Sequence, residues 1–102
     1  MPSGSADILR TMLIALCLVV LQQIKMELPD SLVAQAKITE TVARKTAVAK
    51  VPKGTLTAVE LEREKGHLQY SYELTVPGES GVTEVNVDAM TGKVLGVEKE
   101  KP

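Results

Sequence analysis

The sequence predicts an α+β domain in which one N-terminal helix packs on a four-stranded antiparallel sheet connected as a meander, preceded by an apolar helical leader. A stripe of small residues at helical spacing over residues 38–50 predicts the helix, and apolar side chains that alternate with polar ones from residue 56 onward predict the strands. An apolar run over residues 11–21 predicts the leader. A chain of 102 residues accommodates one such domain.

The leader begins after Arg10, and its apolar run matches the core of a secretory signal peptide, which needs about 7–15 residues. A membrane-spanning helix needs about 20 apolar residues, so residues 11–21 are too few for an ordinary span. Cys17 does not predict a lipoprotein, because Leu16 precedes it where the lipoprotein peptidase needs a small residue. The run therefore predicts export, with Cys17 as a small apolar side chain.

Residues 34–36, Ala-Gln-Ala, supply the small-x-small pattern of a signal-peptidase site. The pattern predicts cleavage after Ala36, with Lys37 as the first mature residue, so that residues 1–36 are a signal peptide and residues 37–102 are the folded domain. A short uncleaved membrane anchor over residues 1–36 is the alternative. In both cases we expect an extracytoplasmic protein, periplasmic or secreted, that contacts the membrane only through an uncleaved leader.

The first element of the folded domain is a helix over residues 38–50. Thr39 is placed to cap its N-terminus, Glu40 lies where the helix dipole favours an anion, and Lys50 lies at the opposite end. The stripe expected to face the sheet consists of Val42, Ala43, Thr46, Ala47 and Ala49. Pro52 ends the helix, because the residue before a proline is disfavoured in helical geometry.

Strands follow the helix to the end of the chain. Residues 56–64 and 68–76 form two strands joined by a tight reversal that contains a glycine. In the second of these strands every other residue is apolar, and Tyr70 and Tyr72 fall on that face. We therefore expect both tyrosines in the core, where each hydroxyl needs a hydrogen-bond partner. After a loop, residues 82–87 begin the third strand.

The segment 85–94, Val-Asn-Val-Asp-Ala-Met-Thr-Gly-Lys-Val, predicts a strand, a tight turn and the start of the fourth strand. Asp88 can turn its carboxylate onto backbone N–H groups two residues further on, and Gly92 can take the positive φ at the reversal. We therefore interpret Asp88, Thr91 and Gly92 as fold-forming turn residues and not as a functional site.

Composition argues against several partners. Twelve basic and thirteen acidic residues leave the chain near neutral, so no strong attraction to nucleic acid is expected. The absence of Trp and Phe removes the stacking platforms that bind single strands. Cys17 is the only cysteine and falls in the leader, so the mature domain has no disulfide, thiol nucleophile or thiolate metal site. We expect no nucleic-acid partner and no cofactor.

No set of catalytic residues stands out. His67 is the only histidine and lies beside a turn glycine, so we expect an exposed turn residue. Glu60, Glu62 and Glu64 alternate onto one strand face, which is typical of a solvated surface rather than of an acid–base pair. The Lys-Gly-Thr of residues 53–55 lacks the upstream glycine of a P-loop. We predict no catalytic, cofactor-binding or metal site and a chain that is not an enzyme.

Five motifs stand in order along the chain: Ile38-Thr39-Glu40, Val51-Pro52-x-Gly54, Val59-Glu60-Leu61-Glu62, Gly66 before Tyr72, and Val85-x-Val87-Asp88-Ala89-x-Thr91-Gly92-Lys93-Val94. Together they resemble a PepSY domain over nearly all of residues 37–99. The resemblance implies a small stand-alone protein of the bacterial envelope that binds another protein. Its implied partner is an extracytoplasmic peptidase, which it would inhibit or restrain, or another exported protein.

A second function class remains open from the residues themselves. A small envelope protein can sense or sequester a ligand such as a metal ion or an apolar molecule. Hard cations prefer oxygen ligands, and the acidic residues able to collect one weakly are Glu60, Glu62, Glu64, Glu84 and Glu98. Carboxylates dispersed over several strands more often form a soluble surface, so we treat ligand sequestration as the alternative to protein binding.

Overall fold

The computed structural model describes residues 23–102, which form two helices and five strands. The helices are α1 (Asp30–Val33) and α2 (Glu40–Lys50), and the strands are β1 (Lys25–Glu27), β2 (Thr55–Glu64), β3 (His67–Thr75), β4 (Val82–Asp88) and β5 (Val94–Glu100). The apolar run predicted as a leader, with Cys17, lies outside the described residues. Within residues 23–102, no helix has both the length and the apolar character needed to cross a bilayer.

The five strands form one sheet in the order β1-β2-β3-β4-β5. Strands β2 to β5 are an antiparallel meander, as the sequence predicts, whereas β1 pairs parallel with β2. The prediction of a four-stranded antiparallel sheet was therefore incomplete, because β1 falls inside the segment predicted as the leader. A parallel pair needs a long crossover connection, and here α1 and α2 provide it.

Helix α2 packs on one side of the sheet, which we call the covered face. Two apolar rows of cross-strand neighbours cross its centre. One row joins Val59, Tyr72 and Val85, and the other joins Leu61, Tyr70 and Val87, all of them buried. Because residues directly opposite each other share a face, the pairing register alone assembles this core.

Only part of the predicted helical stripe reaches the sheet. Ala43 and Ala47 are buried, whereas Val42 is 53% exposed and Ala49 is exposed as well. The predicted stripe was thus too wide, because Ala43 and Ala47, one turn apart, are the stripe residues that the sheet buries, and Thr46 beside them is half-buried. The predicted N-cap is present, since the Thr39 hydroxyl accepts a hydrogen bond from the Val42 N–H at 3.4 Å.

The two tyrosines tie the sheet to the segment that begins α2. The Tyr70 hydroxyl donates to the Ile38 carbonyl at 2.7 Å, and the Tyr72 hydroxyl lies 3.0 Å from Glu40 Oε2. Burial, followed by the nearby Glu40 carboxylate, raises the pKa of Tyr72 far above its ordinary value. The prediction that both rings lie in the core with hydroxyl partners is confirmed.

The residues just before α2 also belong to the folded unit. Side chains from residues 24–36 that pack against the core are Ile24, Leu28, Leu32 and Ala36. The backbone N–H groups of Lys37 and Ile38 both donate to the Ala89 carbonyl, at 2.9 and 2.8 Å. Cleavage after Ala36 stays a prediction, and its structural consequence would be the loss of β1 and α1.

Candidate functional site

The side of the sheet opposite α2, which we call the open face, is lined by glutamates from every strand. They are Glu27, Glu60, Glu62, Glu64, Glu73, Glu84, Glu98 and Glu100. Lys25, the cation that the pairing register puts on this face, lies at the β1 edge and pairs with Glu27 at 3.3 Å. The open face is thus a strongly acidic surface on a chain of nearly neutral net charge.

One row of glutamates crosses the open face from β3 to β5. Glu73, Glu84 and Glu98 lie directly opposite one another on three successive strands. Like charges in directly opposite positions destabilise a sheet. Glu100 joins the row at its β5 end, where its carboxylate lies within 4.8 Å of those of Glu84 and Glu98. We call Glu84, Glu98 and Glu100 the carboxylate cluster.

Glu84 is the most perturbed member of this cluster. Burial raises its pKa to about 7, with further contributions from a side-chain hydrogen bond to Glu100 and from the charges of Glu100 and Glu98. On β2, burial and the charges of Glu62 and Glu27 likewise raise the pKa of Glu60. Glu84 and Glu60 therefore hold a proton to higher pH than isolated carboxylates do.

A network of hydrogen-bonded polar side chains, largely buried, lies at the centre of the open face. The Ser71 hydroxyl lies 2.9 Å from Glu62 Oε1 and 2.7 Å from Asn86 Oδ1, and it accepts a hydrogen bond from Gln69 Nε2 at 3.2 Å. Among the described residues, every buried side-chain nitrogen or oxygen has a hydrogen-bond partner. These polar groups hold three neighbouring strands in register and are already engaged with one another.

The predicted turn residues lie at one end of the open face. The Asp88 carboxylate accepts hydrogen bonds from the N–H groups of Met90 at 2.7 Å and Thr91 at 3.1 Å, and Gly92 has a φ of 80°. Burial alone would raise the pKa of Asp88, but these two N–H groups and His67 lower it. His67 is exposed, as predicted, and its Nδ1 lies 3.4 Å from Asp88 Oδ2.

The structure divides the acidic residues that the sequence suggested for weak cation binding. It places Glu84 and Glu98 directly opposite each other, whereas Glu60, Glu62 and Glu64 lie on β2, which β3 separates from β4. Sequence reasoning missed the acidic residues Glu27, Glu73 and Glu100. The alternation of side chains along a strand could have predicted that these glutamates lie on the open face. Only the pairing register shows which of them are neighbours.

The outer edge of β5, on the side away from β4, is the second candidate surface. Among residues 23–102 no strand pairs with it. The row through Val59, Tyr72 and Val85 continues to Val97, which is 49% exposed. Next to it, between β5 and the end of α2, lies a groove of about 290 Å³, whose lining includes Val51, Val76, Val97, Lys50, Lys53 and Lys99.

The family model of the peptidase propeptide and YPEB domain, PepSY, matches residues 37–98. This match covers more than half of the chain, and the chain therefore belongs to the PepSY family. Comparison with curated proteins and with solved structures gave no significant match. The family resemblance read from the sequence is confirmed, and the matched segment runs from Lys37, just before α2, into β5.

Proposed function

We propose that this protein is a non-catalytic, extracytoplasmic protein-binding module that restrains a secreted peptidase. The observation that carries the proposal is the PepSY match over residues 37–98, because the family description itself links this domain to peptidase propeptides. Extracytoplasmic location follows from the predicted leader. An intact-mass measurement of the exported chain tests that part: a chain that starts at Lys37 is expected, and one that retains residues 1–36 contradicts cleavage.

The contacts within the domain support binding rather than catalysis. The groups that chemistry would use first are engaged in holding the fold: the Tyr72 hydroxyl at Glu40, the Ser71 hydroxyl at Glu62, and the Asp88 carboxylate at its turn. By contrast, the open face and the outer edge of β5 point away from the core. Such surfaces bind proteins through backbone pairing and charge without any catalytic group.

The proposal predicts that the purified full-length chain forms a saturable complex with a peptidase secreted by the same organism and slows its hydrolysis of a small reporter peptide. A small reporter separates occlusion of the active site from competition between two protein substrates. The mass of the chain is measured after incubation, because an inhibitor stays intact whereas a competing substrate is cleaved. The proposal would be contradicted if no peptidase in a panel of such enzymes bound the chain and none changed its rate of hydrolysis.

A second candidate function, sequestration of a divalent cation, is favoured by one observation, the close approach of the three carboxylates in the carboxylate cluster. Oxygen ligands suit calcium, but a calcium site uses about six to eight of them. Calorimetric titration of the chain with calcium and with transition metals tests this function. A defined stoichiometry that is lost in Glu84→Gln supports it, and featureless heats contradict it.

A further inference from the structure

Two rows of side chains, one on each face, end at the same place on β5. On the covered face, the apolar row through Tyr72 and Val85 ends at Val97. On the open face, the acidic row through Glu73 and Glu84 ends at Glu98, the next residue along the strand. The outer edge of β5 therefore presents an apolar side chain on one face and a carboxylate on the other.

We propose that the outer edge of β5 receives a strand of the partner protein in which apolar and basic side chains alternate. This inference rests on the proposed protein-binding function and adds the binding mode and the chemistry of the partner. An edge strand directs part of its backbone N–H and C=O groups outward, and an added strand pairs with them. With seven residues, β5 is long enough for such pairing.

The apolar positions of the partner strand follow from the covered face. An added strand continues each row by one residue, so a side chain opposite Val97 covers the exposed half of that valine. This side chain of the added strand would also lie next to the groove between α2 and β5, where Val51 and Val76 offer further apolar contact. Burial of apolar surface on both sides of this contact favours a valine, isoleucine or leucine at that position.

The basic positions follow from charge complementarity on the open face. A side chain opposite Glu98 lies next to the carboxylate cluster, in which the charges of Glu98 and Glu100 both disfavour a negative charge on Glu84. A lysine or arginine there relieves a repulsion that the domain carries by itself. Opposite charges in facing positions stabilise a pair of strands, and like charges destabilise it.

The same charges argue against two other arrangements. A second copy of this chain, paired antiparallel through β5, would bring Glu98 and Glu100 of both copies onto one stretch of the open face. In the full-length chain, which is the form used in the test below, the opposite edge of the sheet is less suited to an added strand, because β1 has three residues and its Lys25 already pairs with Glu27. In a chain cleaved after Ala36 that edge would be β2, so the comparison of the two edges applies to the full-length chain. The structure thus favours a foreign, cationic strand at β5.

The test uses the full-length chain and three labelled peptides of about nine residues, long enough to span β5. The first alternates valine and lysine, the second alternates valine and glutamate, and the third has the composition of the first in scrambled order. We expect the valine–lysine peptide to bind at least about tenfold more tightly than either of the others, and to weaken as salt is raised. Equal binding of the ordered and scrambled lysine peptides would overturn strand addition.

Two charge reversals locate the binding edge. Glu98→Lys lies on the proposed edge, and Glu27→Lys makes the same charge change on the same face at the opposite edge. We expect Glu98→Lys to weaken binding of the valine–lysine peptide roughly fivefold and Glu27→Lys to leave it nearly unchanged. Equal weakening by both variants, or concentration-dependent self-association of the parent chain through β5 at neutral pH, would overturn the proposal.

Different results would contradict the proposed function and the proposed strand addition at β5. If the chain restrains a peptidase and Glu98→Lys has no effect on that complex, protein binding stands and strand addition at β5 is wrong. If the chain binds the valine–lysine peptide with the predicted Glu98 dependence and affects none of the peptidases, the edge chemistry stands and restraint of a peptidase is wrong.

Discussion

The covered face and the open face of this sheet are made by the same strands, but neighbouring side chains attract on the first and repel on the second. On the covered face, the row of Val59, Tyr72 and Val85 is apolar and buried, so each neighbour stabilises the next. On the open face, glutamates lie directly opposite one another, and the pKa of Glu84 is raised as a result of burial and its acidic neighbours. The contrast indicates that the covered face maintains the fold, and it is the basis for the proposal that the outer edge of β5 binds a partner.

The largest effect expected from this contrast concerns neighbours on β3. Leu74 is fully buried on the covered face, and Leu74→Ala should lower the free energy of unfolding by about 3 kcal/mol, because the change removes buried methyl groups and leaves a cavity. Glu73→Ala, one residue away on the open face, should change it by less than about 0.5 kcal/mol or raise it slightly. Urea denaturation of both variants measures the difference. A similar loss of unfolding free energy in both variants would mean that the open face stabilises the fold as much as the covered face does.

A smaller effect is expected at the turn between β4 and β5. Gly92 has a φ of 80°, a conformation that a β-branched residue resists, so Gly92→Val should cost about 1–2 kcal/mol of stability. Gly96→Val is the matched control, because a Cβ at Gly96 meets no atom within 4 Å and its φ lies outside the positive region. Equal thermal midpoints for parent and Gly92→Val would contradict a fold-forming role of this turn.

The smallest effect depends on pH. The folded chain holds a proton on Glu84 up to a pKa of about 7, whereas the unfolded chain releases it near the ordinary value of 4.5. The folded state therefore binds more protons between these values, and stability falls as pH rises through this window. Glu84→Gln should remove this fall and stabilise the chain at pH 8 by on the order of 1 kcal/mol, a figure reduced for partial solvation of the carboxyl.

Thermal unfolding of parent and Glu84→Gln at about pH 4 and pH 8 measures this effect. The two chains should have similar midpoints at the lower pH, where the carboxyl is protonated in both states. Glu64→Gln removes the same charge from the exposed end of β2 and serves as the control. A parent chain whose stability rises steadily from the lower to the higher pH would contradict the assigned direction.

Local patterns were sufficient to predict much of the fold from the sequence. Alternation in β3 indicated that Tyr70 and Tyr72 are buried, and the short-range chemistry of Asp88 and Gly92 indicated the last turn. Each of these features depends on residues close together in the chain. The family resemblance depended on the same motifs and is confirmed for residues 37–98.

The features that sequence reasoning missed depend on long-range pairing. Strand β1 has three residues and is stabilised by β2, more than twenty-five residues later in the chain, so its own pattern is too short to predict it. The acidic row of Glu73, Glu84 and Glu98 exists only once three strands are in register. The outer edge of β5 as a candidate surface likewise follows from the strand order and not from any motif.

Hydrogen exchange can locate the proposed partner strand at the outer edge of β5 and separate this edge from the covered face, which holds the fold. Backbone amide exchange of the full-length chain is measured with and without saturating valine–lysine peptide. We expect slower exchange in β5, residues Val94–Glu100, with little change in β1, residues Lys25–Glu27. Peptide binding that leaves β5 exchange unchanged, or that slows exchange at β1 or α2 instead, would contradict it.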